Sequence, residues 1–292
     1  MDNNIFTASP ISGFGSKYRA CIDAKLHLYL PHFTHSKQIY VEPFCFSCTV
    51  FFNTNCKVAV LNDKNDYIYN FWHVVKEKYA ELQKEWEYVW VGAKWIAEYA
   101  QRTDPVGKAV FFYLMNRSSP AGIYKTSYQY MYYSNTLHKD LTRWKDRFDH
   151  MTSLSIWDLD FREVYARLIK RGGEQREFVW YIDPPYYDID NKLNLNNYRF
   201  NFIQQDHIDL YNYHTQMKDN PTHHVLISYN DHPFIRKLYA DWYIKELQYS
   251  TGVSNKAKAD NHELIISNRP LIQRVIGKYQ TRSLDTILQK KT

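Results

Sequence analysis

The apolar run Phe178–Ile182 (FVWYI) is the strongest strand signal in the chain, and it ends abruptly in Asp183-Pro184-Pro185-Tyr186. Each proline locks φ and lacks an N–H, so the ladder stops there and the backbone is fixed. In an open α/β sheet, ligands bind outside the carboxyl ends of the strands. The tetrapeptide is therefore expected to line a site.

The remaining pattern supplies such a sheet. Gln38–Glu42 (QIYVE), Val58–Asn62 (VAVLN), Ser153–Trp157, Val225–Tyr229, Tyr243–Tyr249 and Glu263–Ser267 read as further strands. Thr49–Asn53 suits the start of a crossover helix. The stretch from Asn65 to about Lys94 is helical, with Ile68, Phe71, Trp72, Val75, Tyr79 and Leu82 at helical spacing. Lys108–Arg117, Asp206–Met217 and Pro233–Tyr239 read as helices, and residues 118–140 as an exposed, tyrosine-rich loop region. Alternating strands and helices imply a mostly parallel sheet. The helical stretch at 65–150 interrupts that alternation and reads as an insert.

Composition narrows the choice. Glycine occurs only 9 times, with none between Ser16 and Val91. An early run of glycines, as in an unmodified Walker A loop or GxGxxG fingerprint, is excluded. The four cysteines are Cys21, Cys45, Cys48 and Cys56. Cys45 and Cys48 form a CxxC, but no second pair stands at zinc spacing, so buried thiols in a reducing cytosol are expected and no metal site. The formal charge is +6, and Arg269, Arg274, Lys278, Arg282, Lys290 and Lys291 face only Asp285 in the last 24 residues. Such a tail suits either polyanion binding or plain solvation. No apolar run is long enough to span a membrane, and the N-terminus lacks a signal-peptide pattern, so a cytoplasmic protein is expected.

The chemistry of Asp183-Pro184-Pro185-Tyr186 can be read directly. The carbonyl around Pro184 and the Asp183 carboxylate are two neighbouring acceptors, and Tyr186 offers a planar face. Together they match an exocyclic amine on a planar base. The acceptors take the two amine hydrogens, the ring stacks, and the nitrogen is aimed at an electrophilic methyl group. This is catalysis by positioning and electrostatics. The plainer alternative is a proline-rich turn that merely ends a strand.

Several segments in order resemble the Dam family (D12 class) of DNA adenine-N6 methyltransferases. Gly15-Ser16-Lys17 is similar to the N-terminal cofactor motif. Tyr40-Val41-Glu42-Pro43-Phe44 with Val50-Phe51-Phe52-Asn53 is similar to the first methyltransferase motif, and Leu61-Asn62-Asp63 to the second-strand motif. Tyr113-Leu114-Met115-Asn116-Arg117 resembles the start of the target-recognition region, and Asp160-Phe161 the pair before the catalytic motif. Leu226–Asp231 and Glu263-Leu264-Ile265 resemble the late strands.

The resemblance implies a Rossmann-like S-adenosylmethionine-dependent methyltransferase fold. The catalytic domain would be 1–64 and 151–292, with a helical target-recognition, DNA-binding subdomain at 65–150. It implies methyl transfer to adenine N6 in duplex DNA with the base flipped out, in a restriction–modification or other DNA-associated setting of a bacterium, archaeon or virus. Asp183, Pro184, Pro185 and Tyr186 would be catalytic. Gly15, Lys17, Glu42, Phe44, Asp63, Asp160, Phe161 and Asp183 would bind the cofactor. Among these, Asp63 would accept from the ribose hydroxyls and Lys17 would face the methionine carboxylate. Phe44 and Phe161 would sandwich or flank the ligand, and Asp160 would serve the adenine amino group. Asn116, Arg117, Tyr124, Lys125, Arg143, Lys256 and Lys258 would contact DNA, with Arg147 a further phosphate-binding candidate. No metal or membrane is implied.

Two departures stand out. Where the family has a glycine-rich stretch after Glu-Pro-Phe, this chain reads Cys45-Phe46-Ser47-Cys48-Thr49. Glycine there tolerates φ > 0 and close ligand approach, so Phe46 must either point away or fill the methionine pocket. Ala121-Gly122-Ile123-Tyr124-Lys125 also departs from Asn-Gly-Leu followed by Arg, so a GATC site is not implied. A non-catalytic subunit of the same fold that binds DNA or a protein partner is the alternative reading, and RNA adenine or another planar amine is the alternative substrate.

Overall fold

The computed structural model describes residues 6–11, 16–89, 93–118, 140–169, 176–188, 202–250 and 260–275. The strands are β1 (Gln38–Glu42), β2 (Val58–Asn62), β3 (Ser153–Trp157), β4 (Glu177–Ile182), β5 (His223–Asn230), β6 (Tyr243–Ser250) and β7 (Asp260–Ser267). They form one sheet in the order β3-β2-β1-β4-β5-β7-β6. The first five are parallel, and β7 runs antiparallel between β5 and β6. This is the mixed α/β, Rossmann-like arrangement expected of the chain. Strand order reverses between β1 and β4, where Val41 pairs with Trp180. That switch point is where open sheets hold their ligands.

Helices cover both faces. They are α1 (Tyr18–Ile22), α2 (Thr49–Phe52), α3 (Asp66–Glu77), α4 (Tyr79–Tyr88), α5 (Ala93–Tyr99), α6 (Pro105–Ser118), α7 (Thr142–Asp149), α8 (Phe161–Ile169), α9 (Gln204–Met217) and α10 (Pro233–Leu238). The pleat sends alternate residues to opposite sides. Tyr40, Val179 and Tyr181 join Phe71, Trp72, Tyr113 and Phe148 on one face. Val41, Trp180 and Ile182 join Phe161, Tyr165, Leu210 and Met217 on the other. The helices of residues 65–150 thus bury their apolar sides in the same cluster as the sheet. The aromatic excess fills these layers, as in the Tyr165–Trp180 stack with ring centroids 4.8 Å apart.

Local signals account for three of the helix starts. The Asn65 side chain accepts from Tyr67 N and caps α3. Pro105 and Pro233 stand in the first turns of α6 and α10. The sequence pattern did not mark α7 or α8, and Thr49–Phe52 is a single turn. That turn stops because the Asn53 side chain donates to Thr49 O and Thr7 O, while Thr7 N donates to Asn53 Oδ1. The tyrosine-rich region 119–139 lies outside the described residues. No described helix is long and apolar enough to cross a membrane.

Asn62, 1% exposed, joins the two loops beside the switch point. Its amide donates to Pro43 O and Leu159 O, and its oxygen accepts from Leu159 N. Asn62→Ala removes all three bonds. The expected loss is about 2–3 kcal/mol of unfolding free energy, measured by denaturant titration.

Candidate active site

The site is built from the carboxyl ends of the parallel strands. β1 leads into Glu42-Pro43-Phe44, β2 into Asp63, and β4 into Asp183-Pro184-Pro185-Tyr186. The last segment is clamped from β5. Tyr187 N donates to Asn230 Oδ1 at 3.0 Å, and Asn230 Nδ2 donates back to Tyr187 O at 2.9 Å. The Tyr187 ring stacks on Phe234 with centroids 4.4 Å apart. The turn after β4 is thus held by backbone chemistry, by two prolines and by packing.

Lys17, 3% exposed just before α1, is the cation of the site. Its ammonium lies 2.8 Å from Asp183 Oδ1 and 3.1 Å from Glu263 Oε1. It also donates to the Tyr186 hydroxyl at 2.8 Å. Tyr186 in turn donates to Glu263 Oε1 at 2.6 Å, and Tyr249 donates to Glu263 Oε2. One positive charge therefore faces the buried Glu263 carboxylate and the partly buried Asp183 carboxylate, and two phenols complete the hydrogen bonding. Burial disfavours the Lys17 ammonium, but Asp183 and Glu263 outweigh it and hold its pKa well above the ordinary value. Burial pushes Asp183 up to about 7; Lys17 pulls it down and Glu263 pushes it further up. Asp183 Oδ2 has no partner among the described residues.

Sequence reasoning missed Glu263 as a site residue. β7 is antiparallel, so it is the beginning of this strand that reaches the active edge, where Glu263 pairs with Asn230 of β5. The available signal was a carboxylate heading an apolar run, ELIIS. β6 is antiparallel to β7 and so runs in the same direction as β5, and Tyr249 arrives near its carboxyl end.

The cofactor candidates lie around this centre. Asp63 is half-buried; Phe46 N donates to its Oδ2 at 3.0 Å and Asn65 N to its Oδ1 at 2.9 Å. Burial raises its pKa to about 6 against the pull of those two amides. A carboxylate offers about four acceptor positions, so Asp63 retains capacity for a vicinal diol. Phe44, Phe161 and Phe202 form an aromatic triad with centroids 5.7–5.8 Å apart. A planar ring between Phe44 and Phe161 would need a spacing of about 7 Å, so these rings flank a ligand rather than sandwich it. Asp160 holds Lys64 at 2.8 Å and Arg162 at 3.3 Å. Burial opposes its ionisation, but these partners keep its pKa below the usual range. Glu42 is buried and accepts from the Tyr40 hydroxyl at 2.7 Å; burial drives its pKa well up. Gly15 lies outside the described residues.

The departed glycine loop keeps a glycine-like backbone. Phe46 and Cys48 have φ of 29° and 52°, in the left-handed region. Non-glycine residues pay roughly 1–2 kcal/mol there. The loop is held by Asp63 on Phe46 N and by Trp72 Nε1 on Phe46 O at 2.8 Å. The Phe46 ring packs against the cluster of Phe71 and Trp72, away from the Phe44 triad, and Cys48 is fully buried in that same cluster. All four cysteines are buried free thiols. No three His, Cys, Asp or Glu side chains converge on a metal position among the described residues.

The DNA candidates divide. Arg143 is exposed on α7 and donates to Thr7 Oγ1 at 2.8 Å. Asn116 is 1% exposed within α6, so reaching a base from there requires α6 to open. Arg117 lies beside it, half-buried. Arg147 is turned inward, donating to Cys56 O with its guanidinium 4.6 Å from the Phe51 ring centroid; it ties α7 to the sheet. Arg274 of the basic tail likewise donates to Leu30 O and His27 O. Tyr124, Lys125, Lys256 and Lys258 lie outside the described residues.

Comparison with known proteins gives a concordant picture. Residues 15–252 match the family described as D12 class N6 adenine-specific DNA methyltransferase. DNA adenine methylases from the Classical Ogawa and El Tor Inaba strains of Vibrio cholerae serotype O1 are each 23% identical over 269 residues. Those alignments cover 85% of this chain and 90% of the relative.

Lys17→Met leaves Asp183 and Glu263 buried without a cation, at an expected cost of about 3–5 kcal/mol. The sign with pH follows from Asp183. Its folded pKa of about 7 lies above its ordinary 3.8, so its contribution to stability is present below the ordinary value and is lost as pH rises through the folded one. Removing Lys17 raises the folded pKa further. Chemical denaturation across pH is expected to show a deficit that grows from acid to alkaline pH.

Proposed function

The chain belongs to the D12 class of N6 adenine-specific DNA methyltransferases, and from that premise we propose how its residues carry out methyl transfer to adenine in DNA. The observation that carries the proposal is Asp183. One oxygen is anchored by Lys17, and the other has no partner among the described residues, at the end of a strand whose next residues are Pro184-Pro185-Tyr186.

In this reading adenine enters as a base flipped from the duplex, since its N6 is inaccessible within the stack. Asp183 Oδ2 and the Pro184 carbonyl accept the two N6 hydrogens and orient the nitrogen lone pair. The Tyr186 ring supports the base from one side. Once N6 has formed its new bond to carbon it must shed a proton. Asp183, with its pKa lifted toward neutrality, is suited to hold that proton before solvent takes it.

The residues present fit S-adenosylmethionine, which supplies an electrophilic methyl group when bound. Asp63 retains acceptor capacity for the ribose hydroxyls. Phe44 and Phe161 offer apolar contact to the adenine ring, with Asp160 near its rim. Glu42 stands at the end of β1, near enough to Asp183 and Asp63 for their charges to act on it. Lys17, already committed to two carboxylates, holds Asp183 in register and faces the methionine carboxylate. The left-handed backbone at Phe46 and Cys48 supports a working cofactor loop over the non-catalytic alternative. Target contacts are assigned to the 65–150 segment, with Arg143 and Arg117 against phosphate, and affinity is expected to fall with salt.

The test uses methyl-labelled S-adenosylmethionine and DNA lacking adenine methylation. Asp183→Ala is expected to lose at least about a thousandfold in rate while still binding cofactor by calorimetry. Equal labelling by a folded Asp183→Ala protein rejects the assignment.

A further inference from the structure

We infer that Glu263 is a positioning residue for methyl transfer, setting the orientation of Tyr186 and the placement of Lys17 against Asp183. The inference rests on the methyltransferase reading and extends it to a residue on the antiparallel strand β7.

Geometry carries the argument. Glu263 is 2% exposed, yet both its oxygens are used by site residues. Oε1 accepts from the Tyr186 hydroxyl at 2.6 Å and lies 3.1 Å from Lys17 Nζ. Oε2 accepts from Tyr249. A Tyr ring that stacks on a base has a free torsion about its own axis and a swing about χ1. A charge-assisted bond at its hydroxyl pins the swing, because it fixes the far end of the ring axis, and leaves rotation about that axis to the packing around the ring. The same carboxylate draws Lys17 into a fixed place between Tyr186 and Asp183, with Nζ 4.9 Å from the Tyr186 ring centroid. Glu263 therefore acts on both the stacking wall and the anchor of the Asp183 carboxylate without touching the base itself. Burying a second carboxylate beside Asp183 is costly, and fixing the reactive geometry is the return for that cost.

Glu263 also has an electrostatic signature. Asp183 is faced by Lys17 ahead of α1, Glu42 of β1, Tyr181 of β4, Tyr186 of its own turn, Tyr229 of β5, Tyr249 of β6 and Glu263 of β7. The Glu263 charge raises the Asp183 pKa. A neutral isostere lowers it and moves any acid limb governed by Asp183 toward lower pH.

The experiment is single-turnover methylation by the full chain. It uses DNA lacking adenine methylation and saturating methyl-labelled S-adenosylmethionine, measured from about pH 5 to about pH 9. Glu263→Gln keeps size and one acceptor but not the charge. Its plateau rate is expected to fall at least about tenfold, more than its cofactor affinity by calorimetry, and its acid limb to move down in pH. Tyr249→Phe keeps the carboxylate and loses one of its donors; its rate is expected to fall less, with the acid limb unmoved. An active wild type beside a Glu263→Gln variant of unchanged rate and acid limb overturns the inference. So does a Tyr249→Phe variant whose acid limb shifts as far as that of Glu263→Gln. A folded wild type that leaves DNA unlabelled overturns the methyltransferase reading and the inference with it.

Discussion

Lys17 is the buried cation on which the active edge depends. Its ammonium holds Asp183 at the end of a parallel strand and Glu263 at the start of an antiparallel one. Without it, two carboxylates would stand together in a desolvated pocket, and one would be forced to protonate. With it, Asp183 is fixed by one oxygen and presents the other. The sheet topology makes the arrangement possible. Order reverses at β1/β4, and β7 inserts antiparallel beside β5, so residues distant in sequence meet within hydrogen-bond range.

The second constraint is the loop after β1. The chain lacks the glycines that such a turn favours, yet Phe46 and Cys48 adopt left-handed φ. Such strain persists only where the surroundings over-determine the backbone. Here those surroundings are the Asp63 carboxylate on one side of the Phe46 peptide and the Trp72 indole on the other. Asp63 thus shapes the loop as well as standing ready for a diol. The burial of Cys48 and the packing of Phe46 help offset the backbone cost.

Much of this was legible in the sequence. β1, β2 and β3 fall on the residues that their apolar runs predict, and the turn after β4 follows directly from two prolines. The relation between strand ends and ligand sites puts Asp183 and Asp63 at the edge where the parallel strands end. What escaped is non-local. Glu263 required knowing that β7 runs antiparallel. α8 was hidden because Asp160-Phe161 drew attention as a pair, not as the opening of a helix whose Phe161, Val164, Tyr165 and Leu168 bury one face. Arg147 and Arg274 look like solvent-facing cations in sequence, but each finds backbone carbonyls from segments far along the chain. Net charge cannot reveal such pairing.

The most direct test of the central claim is the chemical identity of the product. DNA incubated with the full chain and methyl-labelled S-adenosylmethionine, digested to nucleosides and resolved by mass spectrometry, is predicted to carry its label on N6-methyladenine. Label on cytosine alone, or no label in DNA from a folded protein that binds the cofactor, would contradict the account.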